Sequence, residues 1–110
     1  MTNKIAIIGQ GYVGLPLAIS AYEAGYQVIG IDNSIAKITA LNQGISGIED
    51  LPDLKLKEAL SSNRYKATDQ INVIKESDVI LVCVPTPLTI DHKPDLNHLL
   101  NAIKSVARNL

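Results

Sequence analysis

Tryptophan and phenylalanine are absent from these 110 residues, and four tyrosines, Tyr12, Tyr22, Tyr26 and Tyr65, are the only aromatic side chains. None is interleaved with basic residues, so the stacking platforms that bind single-stranded nucleic acid are not indicated. Cysteine occurs once, at Cys83, which excludes an intrachain disulfide and a cysteine-rich zinc site and fits a reducing cytoplasm. Neither sign of charge dominates: 10 Lys+Arg stand against 11 Asp+Glu, with no cluster able to form a patch for nucleic acid or for a membrane surface. Long apolar runs are missing too. The first one is interrupted at Gly9 and Gln10, too short for the apolar region of a signal peptide or for a membrane span, so neither export nor membrane insertion is expected. His92 and His98 have no Asp, Glu or His partner at metal-ligand spacing, and no metal site is expected from them.

Hydrophobic residues make up 46% and charged residues 19%, the usage of a soluble globular chain that buries a core. The length fits one domain and leaves no room for a separate substrate domain. Ile5-Ala6-Ile7-Ile8 is a continuous apolar run ending in glycine, the pattern of a strand buried on both faces of a parallel sheet. From Tyr12 to Ala24 helical periodicity follows, with Val13, Leu17, Ala21 and Ala24 on the predicted apolar side, Pro16 near the start and Gly25 at the stop. Gln27 to Ile31 reads as a second strand closing on Asp32, and Ser34 to Asn42 as a second helix with Ile35, Ile38 and Leu41 on one side. Gly44 to Pro52 has no period and reads as a loop before a short helix, Asp53 to Ser61. Tyr65 to Thr68 is a weak third strand and Asp78 to Val84 a strong fourth, stopped by Pro85-Thr86-Pro87. Asp95 caps a last helix whose stripe of Leu96, Leu99, Leu100, Ile103, Val106, Ala107 and Leu110 is expected to cover the sheet.

Strands alternating with helices predict right-handed crossovers and a parallel sheet with helices on both faces. Gly9-Gln10-Gly11-Tyr12-Val13-Gly14 matches GxGxxG between the first strand and the first helix, a context that makes a weak pattern specific. Gly9 permits the tight turn, Gly11 lets the backbone approach a pyrophosphate, and Gly14 lets helix and strand pack closely. The unpaired amides and positive dipole end of the helix N-terminus face the phosphates, so no basic side chain is needed in the loop. Asp32, at the end of the second strand, is placed to accept hydrogen bonds from the adenosine ribose and to repel a 2′-phosphate, which favours NAD over NADP. Lys37 is the nearby cation and could reach the adenosine edge. A purely structural role, with the glycines making a turn and Asp32 capping the next helix, is the competing reading. The expected fold is therefore α/β, a partial Rossmann-type doubly wound parallel sheet of about four strands with flanking helices, ending before the last strands of a complete domain. On this expectation residues 1–110 are a truncated N-terminal NAD-binding domain, and the fourth strand leaves an open edge at which copies associate.

Gly9 to Ala18 reads GQGYVGLPLA and Cys83 to Leu88 reads CVPTPL, with Leu41-Asn42-Gln43-Gly44, Arg64 to Asp69 (RYKATD) and Pro94-Asp95-Leu96 in order around them. These landmarks, spread over nearly the whole chain, resemble the UDP-glucose/GDP-mannose dehydrogenase family. Ile48-Glu49-Asp50 with CVPTPLT is most similar to the branch acting on UDP-N-acetylated hexosamines, although Gly47 departs from the histidine expected before it. The resemblance implies an enzyme that uses two NAD in succession to oxidise the primary alcohol of a UDP-sugar, UDP-N-acetylhexosamine or UDP-glucose, to the uronic acid through a thiol-bound intermediate. It also implies a cytoplasmic homo-oligomer serving polysaccharide precursor synthesis. The family's nucleophilic cysteine and its lysine and acidic helpers lie in downstream segments, so no catalytic residue is expected in this chain. Cys83 is not that cysteine; inside a buried strand it reads as core.

The resemblance implies that Thr86 contacts the cofactor from the turn fixed by Pro85 and Pro87, with backbone contact from Val84 or Pro85 as an alternative and a turn in which Thr86 bonds only its own backbone as another. The candidate cofactor-binding residues are thus Gly9, Gln10, Gly11, Tyr12, Val13, Gly14, Asp32 and Lys37, with Val84, Pro85 and Thr86. Glu49 and Asp50, adjacent on a loop, read as solvated rather than as an acid–base pair. A function of another class, a non-catalytic nucleotide-sensing domain of a transport system, would share the glycine loop and the strand-end acid; the VPTP turn and PDL start argue against it. Another hydroxyacid-type dehydrogenase would share only the first half.

Overall fold

The computed structural model describes residues 3–83 and 104. Along the chain run β1 (Lys4–Ile8), α1 (Gly14–Glu23), β2 (Gln27–Ile31), α2 (Ile35–Asn42), α3 (Asp53–Ser61), β3 (Tyr65–Thr68), a 3₁₀ turn (Ile71–Glu76) and β4 (Val79–Val82). The four strands form one parallel sheet in the order β3-β2-β1-β4, with Ile5 opposite both Val28 and Val79 and Val28 opposite Tyr65. Strand order therefore reverses between β1 and β4. Ligands of doubly wound sheets bind outside the carboxyl ends of the strands at such a reversal.

Strand side chains alternate between two cores, as a period of two requires. Ile7, Val28, Tyr65 and Ala67 pack with Leu15, Ala18 and Ile19 of α1, Ile38 and Leu41 of α2, and Leu56 and Ala59 of α3. Ala6, Ile8 and Ile31 face the other way, where Ile74 of the 3₁₀ turn is buried against them. Burial on both faces accounts for the unbroken apolar run of β1. The 3₁₀ turn was not visible in the sequence, because six residues are too few to display a helical period.

Two predicted helix faces are corrected. The buried side of α1 is Gly14, Leu15, Ala18 and Ile19, while Val13 and Leu17 are exposed. Nearly every position from Leu15 to Ala21 is small or apolar, so periodicity could not choose the phase; the close approach of Gly14 to the end of β1 chooses it. In α2, Ile38 and Leu41 are buried as expected, but Ile35, in the first turn beside the ends of the strands, is 69% exposed. Pro16 is the third residue of α1, within the turn whose amides have no intrahelical acceptor, and the ladder resumes at once with Leu17 N–H donating to Val13 C=O. That helix ends in a Schellman arrangement: Gly25 takes φ +102°, its N–H donates to Tyr22 C=O, and Tyr26 N–H donates to Ala21 C=O.

The aperiodic stretch before α3 is fastened by Ser46, whose hydroxyl donates to Leu51 C=O at 2.6 Å while its N–H donates to Asp53 Oδ1 at 3.0 Å. Glu49 and Asp50 on this loop are exposed, as expected. The proline turn at 85–87 lies outside the described residues, as does the helix expected after Asp95 apart from Lys104, which is helical and exposed.

Candidate functional site

The site is built at the carboxyl end of β1. Gly9, with φ +97°, donates its N–H to Ile31 C=O at 2.6 Å and turns the chain across the end of β2. A Cβ on Gly14 would overlap the Gly9 carbonyl, so α1 starts directly against the strand end, and only glycine allows it. Gly11 is different. Among the described residues a Cβ there would meet nothing nearer than Lys37 Nζ at 4.0 Å, so they leave the space above this residue open. The amides of Gly11, Tyr12 and Val13 find no acceptor among the described residues. Open space and free donors at a helix start are what a phosphate group requires.

Asp32 closes the side of this cradle, its side chain only 10% exposed. Oδ2 accepts from Gln10 N–H at 2.9 Å and Oδ1 from Ser34 N–H at 3.0 Å, while Lys37 Nζ lies 3.5 Å from Oδ2. A carboxylate offers about four acceptor directions, so capacity remains beyond these partners. The cap of α2 is Ser34, whose hydroxyl accepts from Lys37 N–H at 3.2 Å. Asp32 is therefore not the helix cap, although it braces the residue that is. Lys37, expected at the adenosine edge, stands over the glycine loop beside the carboxylate.

Gly9, Gly11, Tyr12, Val13, Asp32, Lys37, Val82 and Cys83 line one cleft of about 500 Å³, at the β1–β4 reversal. Tyr12 and Val13 form its rim, 83% and 67% exposed. Cys83 packs against the core, as expected, but is only partly buried: it sits just past β4, bonded through its N–H to Ile8 C=O, and one side of it faces the cleft. Burial pushes its thiol up, which disfavours the thiolate and any nucleophilic role. Val84, Pro85 and Thr86 lie outside the described residues.

Gln10 does not point its side chain into the cleft. It is 1% exposed, turned beneath the loop, with Nε2 donating to Ile7 C=O at 3.2 Å and Gly9 C=O at 2.9 Å. Its Oε1 accepts from the fully buried Tyr65 hydroxyl at 2.8 Å. Tyr65 was not among the sequence candidates, since 55 residues separate it from Gln10. Gly30 was the one local hint, because a glycine inside a strand marks a close approach. A Cβ there would overlap Gln10 Oε1 and come within 2.9 Å of the Tyr65 hydroxyl.

Burial, and after it the charge of Asp32, push the Tyr65 phenol well above its ordinary range. An acid whose pKa rises on folding contributes stability that is complete below its unfolded pKa, about 10 for tyrosine, and lost as pH climbs toward the folded value. Melting temperature should accordingly fall above about pH 10, and Tyr65→Phe should flatten that fall. Equal alkaline slopes in thermal melts of the two proteins would contradict the assignment.

Sheet order, glycine loop and strand-end acid together define a dinucleotide-binding α/β domain. Comparison with known proteins narrows the class. The chain belongs to the UDP-glucose/GDP-mannose dehydrogenase family, whose NAD binding domain matches residues 3–110. It is 44% identical over 105 residues to UDP-N-acetyl-D-mannosamine dehydrogenase of Pyrococcus horikoshii, covering 94% of this chain and 25% of that protein. It is 40% identical over 104 residues to UDP-N-acetyl-D-glucosamine 6-dehydrogenase of Salmonella typhi, covering 94% and 23%. The crystal structure of a ternary complex of GDP-mannose dehydrogenase from Pseudomonas aeruginosa superimposes with a TM-score of 0.91 at 31% identity, over 96% of this chain and 24% of that one. The chain thus spans about a quarter of the length of these relatives. The match favours the dehydrogenase reading over a nucleotide-sensing domain of a transport system. Among the described residues no group of three or more His, Cys, Asp or Glu could hold a metal, and no helix is long and apolar enough to cross a membrane.

Proposed function

We propose that this chain supplies the NAD site of a nucleotide-sugar 6-dehydrogenase acting on a UDP-N-acetylhexosamine or UDP-glucose. The observation that carries the reading is the contrast between two glycines of one loop: the space at Gly14 is filled by the Gly9 carbonyl, whereas Gly11 opens onto a cleft lined by an acid and by amides that find no acceptor among the described residues. In this reading the residues fit NAD. Gly11, Tyr12 and Val13 hold the pyrophosphate through their amides at the start of α1, Gly9 and Gly14 shape the loop that presents them, and Asp32 takes the adenosine ribose hydroxyls. Lys37, 43% exposed, is the partner of Asp32 that can yield its place and turn to the phosphates. Gln10 acts from below, through its backbone, and Val84, Pro85 and Thr86 complete the site from the proline turn.

Bound NAD supplies a hydride acceptor, and two equivalents take a primary alcohol to a carboxylate. The chain's own part is to fix the dinucleotide at the strand reversal; the nucleophile and the sugar pocket belong to the rest of such an enzyme, and residues 1–110 by themselves should not turn over. A cytoplasmic homo-oligomer belongs to the same proposal, supported by the single free thiol and by β4 standing at the sheet edge among the described residues.

Asp32→Ala tests the site. Losing a carboxylate that accepts charge-assisted hydrogen bonds, about 1.5–3 kcal/mol each, should weaken NAD at least tenfold while narrowing the preference against NADP. Unchanged affinity for both dinucleotides in a calorimetric titration would remove Asp32 from the site. For the reaction, the full-length protein given UDP-N-acetylhexosamine or UDP-glucose should reduce two NAD per sugar oxidised; no reduction with either sugar would overturn the substrate class.

A further inference from the structure

We propose that the buried Tyr65–Gln10 hydrogen bond is a positioning device for the glycine loop that sets how tightly the cleft holds its dinucleotide. This rests on the NAD reading above but concerns residues that touch no ligand.

One peptide plane links the pair to the loop. In the Gly9–Gln10 peptide the carbonyl and the N–H point in opposite directions, as in any trans peptide. Gln10 Nε2 donates to that carbonyl at 2.9 Å, and the N–H donates to Asp32 Oδ2 at 2.9 Å. Both ends of the plane that leads into Gly11 are therefore held. The second hydrogen of Nε2 goes to Ile7 C=O at 3.2 Å, so the amide nitrogen is fully used as a donor.

Tyr65 completes the set of bonds that keeps the amide in this orientation. Its hydroxyl donates to Oε1 at 2.8 Å from a residue with no exposed surface, on a strand two positions away in the sheet. With the amide turned over, Oε1 would face two carbonyl oxygens, and the Gly9–Gln10 peptide would lose its restraint. Gly30 on the intervening strand leaves the gap through which the pair meets, since a Cβ there would overlap Oε1. Residues 10, 30 and 65 form one interlock between the far side of the core and the underside of the loop. Its effect on a ligand is preorganisation: a loop already held in place loses less freedom on binding.

Tyr65→Phe removes one oxygen, leaves Oε1 without a donor and loosens the amide to its two Nε2 bonds. In calorimetric titrations with NAD, run where circular dichroism shows each protein folded, Tyr65→Phe should weaken binding about five- to tenfold. Leu56→Val, a core change in α3 away from the loop, should lower the melting temperature yet leave NAD affinity at the wild-type value. Equal NAD affinity in Tyr65→Phe and wild type, or an equal loss in Leu56→Val, would overturn the proposal. Amide hydrogen exchange without ligand provides a second measurement. Gly11 and Tyr12 should exchange faster in Tyr65→Phe than in wild type, and unchanged exchange would overturn the proposal. A wild-type chain that fails to bind NAD would instead contradict the proposed site, and the exchange comparison would still decide whether Tyr65 holds the loop.

Discussion

Gly11→Val should fold as the wild type does and lose NAD. None of the described residues resists the new side chain: among them a Cβ at this position meets only the far end of Lys37, 4.0 Å away, and the backbone there is not in the left-handed region that glycine alone tolerates. The branched carbons would instead fill the space between the loop amides and the open cleft. A pyrophosphate held by main-chain N–H groups must come within hydrogen-bond distance of them, about 2.7–3.2 Å, and a valine standing there keeps it out. Affinity should fall by about a hundredfold or more, which corresponds to roughly 2.7 kcal/mol, while the melting temperature stays within a few degrees. A Gly11→Val protein that melts normally and binds NAD with wild-type affinity would show that the pyrophosphate lies elsewhere.

The same kind of substitution three residues on should do the opposite. Gly14→Ala places a methyl group inside the Gly9 carbonyl, a backbone atom that cannot rotate away. Relief requires lifting the start of α1 off β1, and with it Leu15, Ala18 and Ile19 from the core they fill. Overpacking costs about 1–3 kcal/mol and occasionally more, and a clash with main chain belongs at the upper end. About 3 kcal/mol is a large part of the 5–15 kcal/mol that holds a domain together, and in a chain of this size it lowers the melting temperature by about 12 °C or more. Thermal melts of the two variants side by side make the comparison: one glycine reserved for a ligand, the other for the fold. A Gly14→Ala protein as stable as wild type would contradict the packing described for the start of α1.

How much of this was legible in the sequence follows from the range over which each signal acts. Strands β1 to β4 and helices α1 to α3 were readable because each is written in a local run: the apolar stretch before Gly9, the stop at Gly25, the terminal Asp32, the aperiodic loop before Asp53. The glycine loop and its acid were readable because the turn, the close approach and the strand end each demand a residue type at fixed spacing. Rotation of α1 was not, since a helix apolar on most sides has no preferred face until a neighbour supplies one. Ile35 fits the period of α2 but sits at the helix start beside the strand ends, where no core covers it. Cys83 was legible as a core residue, but not its second face toward the cleft, because a strand's apolar run does not announce where it leaves the sheet. The inward turn of Gln10 was out of reach for a plainer reason. Its Nε2 partners Ile7 and Gly9 are backbone carbonyls that any side chain could meet, and the one side chain that selects it, Tyr65, is 55 residues away and meets it only once the sheet has assembled.

The proposed NAD site, the backbone at the start of α1 flanked by Asp32, is open to an amide-resolved NMR titration of this chain with NAD. Saturable shifts should concentrate at Gly9, Gly11, Tyr12, Val13, Gly14 and Asp32, with Ser62, Asn63 and Arg64 at the opposite end of the sheet unmoved. Saturable binding whose shifts leave the glycine loop untouched, or no saturable binding at all, would contradict it.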